Sequence, residues 1–382
     1  MRRFRVSKLF SIISLLLLLS CEQEEEPQKI PSLDLANLQS IRIQTLVKFV
    51  NADTLSQLPV YYQITDKNGL TSYNPPKGSK IQLFANGVLQ PDNQYFSSKQ
   101  PQTVILEAQL GDLRSAAYPI TARPAKTYPV VKLPLIFHLP TDVDYPDLDI
   151  TLSMMMKEVN KMYRNRQDSL NPNVADAYIE FYLATQDPQG HPLAQAGLNR
   201  LEYSMPSTVD SAKAKATSIL HSWCIKNYLN IIVGVNWFKN AIPEGYSASF
   251  SPGIITDSNN SSCEEINKQI APDYAIPAVY IHENAFVAGV VAHELGHFLN
   301  LKHPFDTGCS ESPAPSFGNI QDTPRHLPPD PKSPSDLKID CQGLPFRSTN
   351  VMDYYNKQTS FTRDQVSFMR QTIDHPYYLP IP

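Results

Sequence analysis

Two patterns of apolar and polar residues divide this chain. From residue 36 to 124, apolar and polar positions alternate in short segments, and pairs such as Asn68-Gly69 and Asn86-Gly87 separate them. Alternation with a period of two, interrupted by turns, is typical of strands in a small β-sandwich. The predicted strands are 41–47, 60–64, 80–84, 103–106 and 117–120.

Beyond a proline-containing linker at 123–129, the pattern changes to mixed α/β. A largely apolar strand is predicted at 130–139 and is followed by apolar residues at helical spacing over 148–165. The alternation of strands with helices favours a sheet that is mixed but mainly parallel. The remaining predicted elements are strands at 178–184 and 229–235 and helices at 211–226 and 285–299.

The beginning of the chain has the pattern of an export signal. Four cationic residues within positions 2–8 precede an apolar run at 9–19, which is shorter than the roughly 20 residues of a membrane span but fits a secretory signal. The run ends at Leu18-Leu19-Ser20-Cys21, which resembles a bacterial lipobox. Cys21 would then be lipidated and become the mature N-terminus. The chain is therefore expected to be an outer-membrane lipoprotein, attached to the membrane through Cys21 and facing the periplasm or the cell surface.

Four regions follow from these patterns. Residues 1–20 form the lipoprotein signal peptide and 21–35 an acidic tether. The glutamates after Cys21 resemble a surface-export signal of Bacteroidota lipoproteins or serve only as a solvated tether. Residues 36–124 resemble a bacterial immunoglobulin-like sandwich, which contains no Cys or His and is interpreted as a spacer or shield. Residues 128–382 form the α/β (α+β) domain.

The amino-acid composition indicates how many domains the chain can form and which classes of molecule it is expected to bind. The chain has 382 residues, of which 42% are hydrophobic, so it is long enough for two folded domains. Lys plus Arg number 33 against 37 for Asp plus Glu, giving a net charge of -4. With no basic excess to bind a phosphate backbone, a nucleic-acid partner is not expected.

Four cysteines remain when Cys21 is set aside, and an exported protein meets an oxidising compartment. Of the three pairings that four cysteines allow, we favour Cys224–Cys263 with Cys309–Cys341, because its loops are short and do not cross. A zinc–thiolate site is the alternative, but the sequence offers no C-x2-C spacing for it.

The segment from His293 to His303 contains the candidate metal-binding and catalytic residues. On a helix, His293 and His297 lie one turn apart on the same face, where two imidazoles can reach one zinc ion. Glu294 lies beside the first of them and is placed to act on a water at the metal. Asn300 tolerates the left-handed conformation that ends a helix, so the chain can turn and bring His303 to the same ion.

The sequence His293-Glu294-Leu295-Gly296-His297-Phe298-Leu299-Asn300-Leu301-Lys302-His303 resembles the metzincin zinc signature, with Asn300 in place of the family's glycine. Asn350-Val351-Met352-Asp353-Tyr354 resembles the Met-turn of that clan, and both segments, together with Asp322-Thr323-Pro324, look most like the pappalysin (cytophagalysin) family. With the lipobox and the β-domain in front, the whole chain resembles a Bacteroidota zinc-metalloproteinase lipoprotein.

This resemblance implies roles for individual residues. His293, His297 and His303 would bind Zn²⁺, Glu294 would be the general base, and Met352 would lie beneath the ligands. Tyr354 matches a tyrosine that approaches the zinc or the oxyanion, or else it is a packed turn aromatic. Cys309 and Cys341 match positions that are disulfide-linked in pappalysins.

The resemblance also extends to Ca²⁺ at Asp322, although the preceding residues 317–321 lack the acidic residue usual in the family's calcium loop. Asp306, close after the third histidine, is interpreted as a solvated loop acid.

The predicted function is therefore a lipid-anchored zinc endopeptidase that cleaves protein or peptide substrates. Residues 245–250 are the candidate edge strand along which an extended substrate would lie. An adhesin with a protease-like domain that does not cut is the alternative from another class. Hydrolysis of a non-peptide amide or ester is a third, since the same chemistry permits it.

Overall fold

A computed structural model gives the arrangement of the chain. It describes residues 33–374 except for 93, 142–146, 167, 169, 203–221, 235–244, 249–277, 283–284, 307, 310–319, 330–334, 336 and 355–357. The predicted signal peptide, most of the predicted tether and the predicted lipidation residue Cys21 lie outside these described residues. None of the described helices has the length and apolar character to cross a membrane.

The N-terminal region contains only strands and one short 3-10 helix, Leu35–Asn37. Strands β1, β4 and β5 form one sheet, and β2, β11, β9, β6 and β7 form a second in that order, with β10 paired to β9. Strands β3 and β8 form a separate antiparallel pair. The strands are β1 Leu38–Gln44, β2 Phe49–Asn51, β3 Gln57–Pro59, β4 Tyr61–Asp66, β5 Thr71–Ser72, β6 Gln82–Ala85, β7 Val88–Gln90, β8 Gln94–Phe96, β9 Gln102–Leu110, β10 Leu113–Arg114 and β11 Tyr118–Arg123.

This all-β character confirms the sequence interpretation of the region. The five predicted strands overlap β1, β4, β6, β9 and β11, in which the side chains alternate between buried and exposed. The shorter strands were not predicted, because two or three residues are too few to show a period. The immunoglobulin-like type and the domain boundaries stay predictions.

The second region is built on a parallel sheet, as the order of elements predicts. The sheet order is β13-β12-β15-β17-β16, and β14 also pairs with β12. Every pairing in it is parallel except that of β16 with β17. A separate antiparallel pair, β18 with β19, lies near the C-terminal end of the region. The strands are β12 Val131–Pro140, β13 Ile179–Leu183, β14 Leu198–Leu201, β15 Leu229–Gly234, β16 Gly245–Ala248, β17 Ala278–His282, β18 Leu337–Ile339 and β19 Pro345–Arg347.

Three helices are described in this region: α1 Leu148–Tyr163, α2 Ala288–Phe298 and α3 Arg363–Asp374. The first two match the predicted helices at 148–165 and 285–299. The predicted helix at 211–226 falls mostly outside the described residues, and its described end, 225–227, is a turn instead. The core of the region packs the apolar faces of α1, α2 and α3 against the sheet.

Buried polar contacts join the two regions. The Asn51 side-chain amide in β2 donates to the Val174 carbonyl at 2.7 Å, and the Asn173 amide donates to the Phe49 carbonyl at 2.9 Å. At the end of β11, the Arg123 guanidinium binds the Asp322 and Asp364 carboxylates at 2.7 and 3.0 Å. The N-terminal sheet is therefore attached to the second region along an interface, and not only through the linker.

Candidate metal centre

Helix α2 holds the first part of the site because one face of it is apolar. Val291 and Leu295 are fully buried in the core beneath the helix. The Tyr163 hydroxyl of α1 donates to the Ala292 carbonyl at 3.0 Å and fixes the helix along its axis. With this register, His293 and His297 project from the same face.

The helix ends at a residue with left-handed backbone. Asn300 has a φ of 67°, a conformation open mainly to glycine, asparagine and aspartate. Its amide N–H donates to the His297 carbonyl at 2.8 Å, and the Leu301 N–H donates to the Gly296 carbonyl at 3.0 Å. Asn300 thus makes the turn predicted for it from the sequence, and the chain returns to place His303 beside the helix.

The three imidazoles converge. The Nε2 atoms of His293 and His297 are 3.1 Å apart, those of His293 and His303 are 3.1 Å apart, and those of His297 and His303 are 2.9 Å apart. Among the described residues, this is the only group of His, Cys, Asp or Glu side chains close enough to share a metal ion.

The second nitrogen of each ring has its own hydrogen-bond acceptor. His293 Nδ1 lies 2.8 Å from the Val351 carbonyl, His297 Nδ1 lies 2.8 Å from the Leu301 carbonyl, and His303 Nδ1 lies 2.8 Å from Asp306 Oδ1. A proton on each Nδ1 leaves three Nε2 lone pairs directed at one another, an arrangement that a cation would stabilise. Tetrahedral zinc with Zn–N bonds of about 2.05 Å needs nitrogens about 3.3 Å apart, close to these separations.

Burial favours the neutral imidazoles that a metal requires. It lowers the pKa of His293 well below its ordinary value, and the neighbouring His297 and His303 act in the same direction. Burial and the His303 ring also lower the pKa of His297 to about 4. These two rings are therefore uncharged at neutral pH.

Asp306, interpreted from the sequence as a solvated loop acid, instead orients the third histidine. One carboxylate oxygen accepts from His303 Nδ1, and the other accepts the His303 backbone N–H at 3.0 Å. Burial opposes the charge on Asp306, but these hydrogen bonds outweigh it and lower the pKa of the carboxyl. An acid three residues after a ligating histidine was the signal available in the sequence.

Met352 lies directly beneath α2. It is fully buried, and a Cβ added to Gly296 would come within 2.3 Å of its sulfur. Gly296 is therefore required by this close approach. The residue before the methionine contributes as well, since the Val351 carbonyl is the acceptor that orients His293.

A distant carboxylate joins the two stems of this Met-turn loop. Asp168 Oδ2 accepts hydroxyl hydrogen bonds from Thr349 at 2.6 Å, Thr359 at 2.7 Å and Ser360 at 2.8 Å. Burial opposes its charge, but the hydroxyls of Thr349 and Thr359 outweigh burial and lower the pKa of Asp168. Sequence analysis did not identify this residue, because no motif connects it to a loop so far along the chain.

Glu294 is buried beside the first ligand, with 5% of its surface exposed. Its Oε2 atom has no hydrogen-bond partner in the described part of the chain, and burial raises the pKa of the carboxyl to about 8. A buried carboxyl oxygen without a donor is costly unless a water or a substrate group meets it.

Tyr354 is partly exposed next to the histidines. Its ring centroid lies 4.8 Å from that of His303 and 5.6 Å from that of His293. Phe305 stacks on the His303 ring with the centroids 4.6 Å apart, and its centroid is 4.9 Å from that of Tyr354. The tyrosine is thus placed where it can approach a substrate held at the site.

The predicted cysteine pairing is confirmed in its described half. Cys309 and Cys341 form a disulfide with a Cα–Cα distance of 5.2 Å, which fixes the loop after His303 against the end of β18. Cys224 is also disulfide-bonded, and its predicted partner Cys263 lies outside the described residues.

The expected calcium at Asp322 is not supported. The Asp322 side chain is 1% exposed, and its Oδ2 accepts from the Arg123 guanidinium and from the Asp364 backbone N–H at 3.0 Å. An arginine of the N-terminal region thus supplies the positive charge at this carboxylate.

The predicted substrate edge is partly described. Among the described strands, β16 pairs only with β17, so the backbone of 245–248 is at the edge of the described sheet, and 249–250 lie outside the described residues.

Part of the chain matches a family of known proteins, and its structure resembles some that have been solved. Residues 264–374 match the family described as pregnancy-associated plasma protein-A. No curated protein matches the chain. Among solved structures, mature mirolysin of Tannerella forsythia in complex with a cleaved peptide is 21% identical, covers 66% of this chain and 97% of its own, and has a TM-score of 0.48. Metalloproteinase-II of Bacteroides fragilis is 11% identical over 86% of both chains, with a TM-score of 0.32.

Proposed function

We propose that this chain is a pappalysin-like metalloproteinase that hydrolyses internal peptide bonds of protein substrates with a zinc ion held by His293, His297 and His303. One observation carries the proposal. Three imidazole Nε2 atoms meet at one point, and Glu294, the residue next to His293, has a buried carboxyl oxygen without a partner in the described chain.

The donor set fits a catalytic zinc. Three neutral nitrogen ligands leave a coordination position open, whereas structural zinc sites use four protein ligands. When bound, zinc supplies a Lewis acid that polarises a carbonyl and lowers the pKa of a bound water to about 7. Val351, Leu301 and Asp306 hold the three rings in the orientation that such an ion needs.

In this proposal, Glu294 transfers a proton from the attacking water to the leaving amine. Its carboxylate accepts a proton from the attacking water, and the resulting carboxylic acid donates that proton to the nitrogen of the leaving amine. A buried site with a raised pKa suits this exchange, because the protonated and ionised forms then lie close in free energy at neutral pH. Tyr354 would donate a hydrogen bond to the oxyanion that forms as the carbonyl is attacked.

The substrate backbone would extend along β16. This strand ends the described sheet, and the N–H and C=O groups of a sheet edge can pair with an extended peptide that adds as a further strand. Main-chain pairing of this kind favours cleavage within a polypeptide, and it disfavours the small non-peptide esters that the same chemistry would permit.

Metal removal tests the proposal. The purified chain should cleave a peptide library, lose cleavage on treatment with a zinc chelator, and regain it when one equivalent of zinc is restored. Mass spectrometry of the products gives the cleavage sites. A chain that contains one zinc per molecule but leaves every peptide intact would instead support the adhesin alternative.

We also propose that the chain is anchored to the outer membrane by lipid on Cys21. The support is the basic and apolar leader that ends at Leu18-Leu19-Ser20-Cys21. Replacing Cys21 by serine should move the protein from the membrane fraction to the soluble fraction of cells. Retention of the Cys21→Ser variant in the membrane fraction would contradict lipid anchoring.

A further inference from the structure

Arg363, the first residue of α3, has a buried guanidinium nitrogen that lacks a hydrogen-bond partner. The residue is 9% exposed, its Nε atom meets no acceptor in the described part of the chain, and Asp364 and Asp322 act on it through their charge without an ion-pair contact. The position is unfavourable for a second reason, because the positive end of a helix dipole repels a cation in the first turn. A guanidinium carries five donors, and a buried donor without an acceptor is costly unless a water or a ligand meets it.

The carboxylates around Arg363 are committed to other donors. Asp322 and Asp364 both bind the Arg123 guanidinium. Asp176 binds Arg164 and Arg166, each at 2.8 Å. The carboxylate of Asp53 accepts the backbone N–H groups of Leu55 and Ser56 at 2.8 and 2.7 Å, and Ser56 and Ser97 donate their hydroxyls to it.

A cavity lies in front of this arginine, between the N-terminal region and the second region. Its volume is about 220 Å³, whereas one water needs only about 10–15 Å³ of such volume. Two further cations, Lys126 and Arg166, line it together with Arg363, so three cations face two acids that are already bound. None of the three histidines or Glu294 lines it, so it is separate from the metal centre.

The other walls are aromatic and apolar. Tyr128 and Tyr178 line the cavity with their rings 6.1 Å apart, and Leu55, Val174 and Val366 complete an apolar side. The Asn51 side-chain oxygen, which lacks a donor in the described chain, adds one acceptor. If a ligand is bound in the cavity, these walls would pack against its hydrocarbon or aromatic part, and the guanidinium would bind a negatively charged group at its other end.

We propose that this cavity binds a small organic carboxylate with an apolar or aromatic body. Its carboxylate forms a paired hydrogen bond with the Arg363 guanidinium, which is the geometry that arginine offers to planar oxyanions. Lys126 at the exposed rim adds a second positive charge, and Tyr128 and Tyr178 enclose the body of the molecule. Because the site lies between the regions, its occupant stabilises the contact between them.

Thermal unfolding of the full chain with added anions tests this site. Phenylacetate should raise the melting temperature by a few degrees over chloride at equal ionic strength, since a ligand that binds only the folded state stabilises it. Acetate, which has the same head without the body, and inorganic phosphate, which has the charge without the planar carboxylate, should both have smaller effects. Titration calorimetry then gives the dissociation constant for phenylacetate.

Two variants assign the effect to the cavity. Arg363→Met should weaken phenylacetate binding by about 10- to 100-fold, as expected for loss of a charge-assisted hydrogen bond. It should not lower the melting temperature without ligand, because it removes an unpaired buried charge. Lys126→Met, at an exposed position, should weaken binding several-fold and keeps the test valid if Arg363→Met fails to fold.

Arg42→Met is the matched control, because it removes one exposed positive charge on β1, a strand that contributes no residue to the cavity lining. It should bind phenylacetate as the unaltered protein does. Equal binding by the unaltered protein, Arg363→Met and Lys126→Met would overturn the proposal, and so would the absence of any stabilisation by phenylacetate. Stabilisation by phosphate alone would overturn the assignment to carboxylates.

Discussion

Replacing Glu294 by glutamine should lower kcat for peptide cleavage by about 10²- to 10⁴-fold, the usual contribution of a positioned general base. Glutamine has nearly the same shape as glutamate but cannot accept a proton from water at neutral pH. Because Glu294 is not one of the three converging ligands, the zinc content should remain at one per chain. The buried oxygen of Glu294 has no donor among the described residues, so the exchange should leave the free energy of unfolding nearly unchanged.

The measurements are steady-state cleavage of a fluorogenic peptide, metal content by mass spectrometry, and urea unfolding. Glu158→Gln on the exposed side of α1 is the matched control, and it should cleave as the unaltered protein does. If Glu294→Gln bound one zinc and cleaved at the normal rate, Glu294 would not be the base.

Gly296→Ala should destabilise the metal centre. The new Cβ would lie 2.3 Å from the Met352 sulfur and 3.3 Å from its terminal methyl, so the methionine has to move. Overpacking of this kind costs about 1–3 kcal/mol in the free energy of unfolding. Zinc affinity should fall as well, since the adjoining Val351 carbonyl orients His293.

Gly289→Ala on the same helix separates this contact from the general effect of glycine in helices. Its new Cβ would lie 2.7 Å from the Gln358 side-chain oxygen, whose amide donates to the Val351 and Asp353 carbonyls, but it would not touch Met352. Since alanine also favours a helix by up to about 1 kcal/mol, this control should lose less stability in urea unfolding than Gly296→Ala does. Met352→Ala combined with Gly296→Ala should cost less than the sum of the two single changes. Additive costs would show that the two residues are not in contact.

The parts of the fold that follow from local sequence were predictable. A period of two identified the longer N-terminal strands, and a run of apolar residues at helical spacing identified α1. The spacing of the histidines predicted that His293 and His297 lie on one face of a helix. The turn at Asn300 was predicted because asparagine tolerates the left-handed backbone conformation. Each of these depends on residues that are neighbours in the chain.

Contacts between distant segments were not predictable in this way. Asp168 lies about half the chain away from the loop whose hydroxyls it accepts, and no spacing relates them. In the sequence, nothing distinguishes Arg363 from other residues in the first turn of a helix. Only the three-dimensional arrangement shows that the nearby carboxylates form their ion pairs with Arg123. Asp306 was predictable only in part. Its position three residues after His303 is evident in the sequence, but its hydrogen bonds to that residue are evident only in the structure.

The position of Arg123 has a consequence for engineering this protein. Cutting the chain after β11 to obtain a minimal catalytic domain would remove the only cation within ion-pair distance of Asp322 in the described chain and leave that carboxylate without its ion-pair partner. A graft of another N-terminal module would meet the same difficulty unless it restored an arginine at this point. The β-region is therefore a component of the protease body that truncation or exchange would have to preserve.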